Sequence, residues 1–187
     1  MKNLLYLVVT FTIMMTACIG ASKEKLNGAV MEAEAKLKES VKGGRIDSST
    51  AGMMLTAYND YVKAFPGDSL AAQYLFKGAE ILVSTGKYEE AINFYKKVYI
   101  QYHTNSKAPH SLFLWGFTAE NNLKDLETAR AKYTEFLQKY PKHELASSAQ
   151  FSLDHLGKSP EEIVKEFEAK QKADTGMQKA TRKGSIQ

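Results

Sequence analysis

Four histidines could do chemistry in this sequence, because an imidazole can bind a metal or transfer a proton near neutral pH. They are His103, His110, His143 and His155. None of them stands in an HExxH pattern or in another spacing that presents two metal ligands on one helix face. The sequence therefore predicts turn or surface positions for the histidines, and it predicts no metal site.

Two pairs of adjacent glutamates, Glu89-Glu90 and Glu161-Glu162, could supply paired carboxylates for general acid–base catalysis. Both pairs stand at predicted helix starts, where the helix dipole favours negative charge without any catalytic role. The sequence has no GxSxG, no glycine-rich phosphate loop and no Cys/His nucleophile pair. We therefore expect a protein that is not an enzyme and that uses no cofactor.

The only cysteine, Cys18, excludes an intrachain disulfide and a cysteine-based metal site. It follows Lys2 and an apolar run from Leu4 to Met15, which is too short to span a bilayer but is typical of a secretory signal. Residues Met15-Thr16-Ala17-Cys18 resemble the end of a bacterial lipoprotein signal. The resemblance implies that Cys18 becomes the acylated first residue of the mature chain, carrying chains such as palmitate. The alternative is an ordinary signal peptide with an incidental cysteine.

The lipoprotein resemblance divides the start of the chain into a signal peptide, residues 1–17, and a lipidated N-terminus with a tether, residues 18–25. Ile19, rather than aspartate, follows the cysteine. By resemblance to the sorting signals of some Gram-negative bacteria, this implies an outer-membrane lipoprotein whose domain lies in the periplasm. The polar segment from Ser22 to Lys25 also resembles a weak surface-export signal, so surface exposure remains an alternative.

The stretch from Ala72 to His103 predicts two amphipathic helices that are separated by a break at Thr85-Gly86-Lys87. Apolar residues recur on both sides of the break at the three- and four-residue intervals of a helix face. Two helices joined by such a short turn pack antiparallel, and a lone hairpin leaves one apolar flank uncovered. Neighbouring copies of the hairpin must therefore cover that flank.

Such copies are found when Pro66, His103 and Pro141 are aligned as equivalent positions. Tyrosine then recurs eight residues earlier, alanine five residues later and phenylalanine ten residues later in every copy. The matching columns are Tyr58, Tyr95 and Tyr133; Ala71, Ala108 and Ala146; and Phe76, Phe113 and Phe151. Several columns that agree in one register predict an internal repeat rather than a plain helical bundle.

The central copy carries a set of small and aromatic residues that the next copy partly repeats. The two sets are Gly86, Tyr88, Ala91, Tyr95 and Val98, and then Ala129, Tyr133, Phe136 and Pro141. They resemble the tetratricopeptide repeat (TPR), although His103 replaces a helix-ending proline and Met54 replaces an alanine. The resemblance implies an all-α, TPR-like α-solenoid of about three helical hairpins over residues 26–170.

A narrower resemblance rests on Ala129, Tyr133, Phe136 and Tyr140-Pro141, followed by Ala146. These residues are similar to those of TPR lipoproteins in the outer-membrane β-barrel assembly machinery and of periplasmic TPR division-coordinator proteins. The resemblance implies a lipid-anchored adaptor for other envelope proteins, with a role in outer-membrane protein assembly. The alternative is a peptidoglycan-linked or division-coordinating accessory to envelope enzymes. Residues that determine a fold do not choose between these two roles.

TPR-like proteins bind peptides or partner helices on a concave face that the first helix of each hairpin lines. The repeat register predicts which side chains of this chain face such a groove. They are Phe76, Glu80, Val83, Leu114, Thr118 and Asn121. Trp115 stands in an apolar stripe of helical spacing and is therefore predicted to pack between repeats.

The net charge is mildly positive, since 25 lysines and arginines outnumber 21 acidic residues. Most of this excess lies at the C-terminal end, where apolar residues become rare. Residues 171–187 are therefore predicted to form a basic, disordered tail. An exported chain is not expected to bind nucleic acid, so the predicted partners are other envelope proteins and, through the N-terminal lipid, the membrane.

Overall fold

The computed structural model describes the backbone of residues 23–39 and 46–184, and the side chains of these ranges through residue 173. The described chain is all α and has no strand. Its helices are α1 (23–39), α2 (Ser48–Ala64), α3 (Ser69–Ser84), α4 (Tyr88–Gln101), α5 (Lys107–Thr118), α6 (Leu126–Lys139), α7 (Ala146–Asp154) and α8 (Pro160–Gly184). The predicted signal peptide and Cys18 lie outside the described residues.

The turn between α3 and α4 confirms the predicted break at Thr85-Gly86-Lys87. Gly86 has a φ of 77°, in the left-handed region that glycine tolerates best. Its backbone N–H donates to Val83 O, and the N–H of Lys87 donates to Leu82 O at 2.8 Å. This pair of bonds is a Schellman motif, which ends α3 and reverses the chain within three residues.

Helix starts also follow from local chemistry. Asp47 is the N-cap of α2 and accepts a 2.9 Å hydrogen bond from the N–H of Thr50. At the start of α8, Ser159 N–H donates to Glu162, and Glu162 N–H donates to Ser159 Oγ, so that the two residues form a capping box. Each of these bonds satisfies a backbone donor that the helix itself leaves unpaired.

Each helix from α2 to α6 packs against the next one, and α3 also contacts α5. The first helices of successive hairpins are therefore neighbours, as in a solenoid. The aligned tyrosines Tyr58, Tyr95 and Tyr133 are all buried in the core. The phenylalanine column is buried at Phe76 and Phe113 but exposed at Phe151, because no further hairpin of the described chain covers the last one. The described chain is thus an all-α, TPR-like solenoid.

Close packing between α5 and α6 depends on Gly116. A Cβ atom at this position would lie 3.1 Å from the ring of Tyr133 and 3.2 Å from Lys132 Cβ. Beyond Gly116, α5 continues into a π-helical turn, Ala119–Leu123, and Lys124 then takes a left-handed φ of 59°. The turn into α6 therefore begins at Lys124, because Leu123 still belongs to the helical path.

Two predicted boundaries differ from the structure. Residues 23–25, predicted to belong to the tether, already lie in α1, and Lys23 forms an ion pair with Asp68 at the start of α3. At the other end, α8 is helical to Gly184, whereas a disordered tail was predicted from residue 171. Lysine, glutamine, alanine, arginine and methionine dominate residues 171–184, and all of them favour a helix even without an apolar face.

Candidate partner-binding face

The first helices α3 and α5 leave one stripe of side chains each on the surface, and we call these two stripes the first-helix face. The stripe of α3 consists of Gln73, Lys77, Glu80 and Ser84. The stripe of α5 and its π-helical turn consists of Lys107, His110, Leu114, Phe117 and Asn121. The intervals of three and four residues show that each stripe follows one side of its helix.

The six predicted groove residues divide between this face and the core. Glu80 and Asn121 are exposed on the face, and Leu114 is half-buried at its edge. Phe76 and Thr118 are only 6% and 2% exposed, so their side chains belong to the core. Val83 is half-buried and packs against the core of the same hairpin.

The placement of Phe76, Val83 and Thr118 off the exposed face has a simple geometric cause. Phe76, Val83 and Thr118 each stand next to an exposed residue of the face, namely Lys77, Ser84 and Phe117. A shift of one residue turns a side chain by about 100° around a helix, which is enough to move it from surface to core. The repeat correctly predicted which helices line the face. It did not predict how each of these helices is rotated about its own axis.

Charged side chains occupy the part of the face near α1. Lys77 forms a 2.7 Å ion pair with Glu34 of α1, and the Tyr58 hydroxyl donates a 2.9 Å hydrogen bond to the same carboxylate. Burial raises the pKa of Glu80, while the nearby Lys107 and Lys77 act in the opposite direction. Glu34, Lys77 and Glu80 line an open cavity of about 480 Å³ between α1, α2 and α3.

Apolar side chains dominate the opposite end of the face. Phe117 is 43% exposed and lies beside a cavity of about 800 Å³. Leu126 and Phe151 line the same cavity and are also exposed. Phe151 stacks on Phe167 of α8 with a ring distance of 6.4 Å. This end of the face therefore offers apolar surface, whereas the end near α1 offers charge.

Trp115 is not part of the face. It is half-buried, packs against the cores of two adjacent hairpins and has the ammonium of Lys132 4.2 Å from its ring. This agrees with the predicted packing role between repeats. The cation–π contact stabilises the indole at the boundary between the core and solvent.

The structure brings together three side chains that the sequence analysis did not connect. His110 lies in the first turn of α5, and His143 and Glu144 lie in the connection between α6 and α7. Nε2 of His110 is 3.2 Å from Glu144 Oε1, and the two imidazole rings meet edge to face at 5.0 Å. No spacing in the sequence indicates this group, because His110 belongs to α5 and the other two residues to the α6–α7 connection, so they meet only when the hairpins stack.

None of the helices in the described part of the chain combines the length and the hydrophobicity that a membrane crossing needs. Among the comparisons with known proteins, residues 110–143 match the family model for the tetratricopeptide repeat. This segment covers α5 from its first turn, the π-helical turn, α6 and the start of the following connection. No curated protein matches the chain. The chain is therefore a TPR-like solenoid whose residues 110–143 match the tetratricopeptide repeat, a repeat that is typical of scaffolds for protein–protein interaction.

Proposed function

We propose that this chain is a lipid-anchored, non-enzymatic scaffold that binds a protein partner in the bacterial cell envelope. The observation that carries the proposal is the first-helix face, which has the exposed Phe117 and the half-buried Leu114 toward one end and charged residues at the other. A stripe of apolar residues flanked by charge suits an extended peptide or an amphipathic helix. Apolar contact provides affinity, and the charges select the orientation of the partner.

The anchor in this proposal is Cys18. Its support is the sequence before it, an apolar run that ends in Met15-Thr16-Ala17. Helix α1 is already present at residue 23, so the linker between the lipid and the repeats is short. A short linker keeps the first-helix face close to the membrane surface, which suits a partner that is itself part of the membrane or attached to it.

Metabolic labelling with a radioactive or clickable palmitate tests the anchor. Wild-type chain is expected to incorporate the label and to fractionate with membranes. Cys18→Ser is expected to lose both properties, because it removes the thiol that forms the thioether. Equal labelling of the two proteins would contradict the lipid anchor without affecting the scaffold proposal.

Capture of partners after in-cell crosslinking tests the scaffold. Phe117→Glu places a charge in the apolar end of the face and is expected to reduce the recovery of a specific partner at least about tenfold. Ile100→Glu is the matched control, because Ile100 is exposed on α4, outside the first-helix face. Equal recovery with both variants would contradict binding at this face.

The identity of the captured protein tests which process in the cell envelope the scaffold serves. We propose outer-membrane protein assembly, so components of a β-barrel assembly machinery are the expected partners. Recovery of peptidoglycan or division enzymes instead would replace that role with an accessory function for envelope enzymes. For either set of partners, recovery must fall with Phe117→Glu and stay unchanged with Ile100→Glu to support binding at the first-helix face.

A further inference from the structure

We propose that His110, His143 and Glu144 form a binding site for a divalent transition metal, with Zn²⁺ as the cation that fits best. One nitrogen from each imidazole and one carboxylate oxygen lie within 4.8 Å of one another. The ligands come from the first turn of α5 and from the connection between α6 and α7. A bound ion would therefore join the two ends of the tetratricopeptide segment at residues 110–143.

The distance between His110 and Glu144 matches that of two ligands on one ion. A tetrahedral Zn²⁺ with ligands at about 2.0–2.1 Å separates any two of them by about 3.3 Å. Nε2 of His110 and Oε1 of Glu144 are 3.2 Å apart. The ligand nitrogen of His143 lies within 4.8 Å of both atoms, so closure around an ion requires the ligands to approach one another by at most about 1.5 Å. The 75% exposed Glu144 side chain can rotate toward His143 and supply part of this movement.

Hydrogen bonding determines the tautomer of His110. Its Nδ1 lies 3.2 Å from the carbonyl oxygen of Ser106, so this nitrogen carries the proton and donates. Nε2 of His110 then faces the carboxylate of Glu144 at 3.2 Å. A cation between these two atoms, either a proton on Nε2 or a metal ion, satisfies both of them. Metal-binding histidines commonly donate their other ring N–H to a backbone carbonyl in this way.

His143 has to change its hydrogen bonding when it binds an ion. Its Nδ1 accepts a 3.2 Å hydrogen bond from the N–H of Leu145. That bond is lost if Nδ1 binds the metal, and it is also lost if Nε2 binds, because Nδ1 must then carry the proton. The bond is at the long end of the range for N–H···O contacts, so its loss is a small opposing effect. The ring itself is held in place against Phe136 at 5.6 Å.

The ligand types decide which metals fit. Two imidazoles and one carboxylate are a common set for Zn²⁺ and also suit Ni²⁺ and Cu²⁺, whereas Mg²⁺ and Ca²⁺ prefer oxygen ligands. Three protein ligands leave one tetrahedral position for water or for a side chain of a partner. His110 belongs to the first-helix face as well, but metal binding does not depend on a partner at that face, since Phe117 is not one of the ligands.

Isothermal titration of the metal-free full chain with ZnCl₂ at pH 7.5 tests the site. The expected result is one tight site per chain, and no binding of Mg²⁺. Glu144→Gln and His110→Gln are each expected to weaken the site at least about tenfold, the loss typical even for residues that only support a metal ligand. His103→Gln and His155→Gln are matched controls, and Cys18→Ser excludes a contribution from the thiol. These three variants are expected to bind as wild type does.

A second measurement separates metal binding from a proton shared by His110 and Glu144. Zn²⁺ is expected to shift the imidazole NMR signals of His110 and His143 and to raise the Tm of wild type, but to leave the Tm of Glu144→Gln unchanged. Glu144 is exposed, so this variant keeps its fold, which circular dichroism verifies. Absence of Zn²⁺ binding by wild type would overturn the proposal. Unchanged binding by Glu144→Gln and His110→Gln would overturn it as well.

Discussion

The hydroxyl of Tyr99 donates a 2.6 Å hydrogen bond to Glu135 Oε1, which joins α4 to α6 across two adjacent hairpins. Lys132 and Lys139 also bind this carboxylate, at 2.9 and 3.0 Å. Partial burial by itself raises the pKa of Glu135, but the hydrogen bonds from the tyrosine and the two lysines outweigh it and lower the pKa to about 2. The second helices of neighbouring hairpins are therefore held together by a charged network, on the side away from the first-helix face.

The lowered pKa of Glu135 predicts a pH dependence of stability. A carboxyl group with a lower pKa in the folded state stabilises the fold fully above its unfolded pKa, near 4.5, and loses this effect as the pH falls to about 2. Glu135→Gln is therefore expected to reduce the free energy of unfolding at pH 7 by about 1–2 kcal/mol, allowing for partial exposure. Urea unfolding at pH 7 and at pH 2.5 measures this.

The difference between Glu135→Gln and wild type should shrink as the pH falls from 5 to 2.5. Glu168→Gln is the matched control, because Glu168 is an exposed residue of α8. That substitution is expected to change stability by less than about 0.5 kcal/mol at either pH. A Glu135→Gln effect that stays constant down to pH 2.5 would contradict the charged network.

Gly116→Ala tests the close approach of α5 and α6. The new Cβ would meet the ring of Tyr133, which is fully buried and donates a 2.8 Å hydrogen bond to Glu120, so the ring cannot move away freely. Overpacking typically costs about 1–3 kcal/mol, while alanine gains up to about 1 kcal/mol in helix propensity. The expected net change is a destabilisation of about 1 kcal/mol, measured by urea unfolding.

Gly52→Ala is the matched control and has the opposite expected sign. Gly52 is exposed within α2, and a Cβ atom there would meet nothing within 4 Å. Alanine should therefore stabilise the protein by about 0.5–1 kcal/mol. The packing argument fails if both substitutions stabilise the protein.

Gly86→Ala tests the reversal between α3 and α4. The substitution has open space around it, so its effect comes from the backbone φ of 77° alone. An L-residue in the left-handed region costs roughly 1–2 kcal/mol. Thermal unfolding should therefore show a lower Tm, and Gly86→Asn should lose less than Gly86→Ala because asparagine tolerates this region better. Equal Tm values for wild type and Gly86→Ala would contradict the Schellman turn.

Local features of the fold could be predicted from the sequence because they depend on neighbours along the chain. The Gly86 turn and the Ser159–Glu162 capping box are of this kind. The aligned tyrosines could be predicted to be core residues because three copies repeat the same position. No comparably clear sequence pattern predicts the π-helical turn after α5 or the helical end of α8.

The details of the candidate site depend on packing between segments, and this explains what the sequence analysis missed. Phe76 and Thr118 were predicted to face a groove but lie in the core, because the rotation of α3 and α5 is set by the helices around them. The meeting of His110 with His143 requires two hairpins to stack in register. Neither relationship leaves a spacing pattern in a single sequence.

The central claim is that a protein partner binds the first-helix face, and site-specific photocrosslinking in living cells tests it most directly. A photoreactive residue is placed at Lys77 or Phe117 on the face, and at Lys97 or Ile100 on α4 as controls. The account predicts a discrete crosslinked protein from the two face positions and none from the two α4 positions. Crosslinks that form only from α4 would contradict the account, since the partner would then bind the second helices.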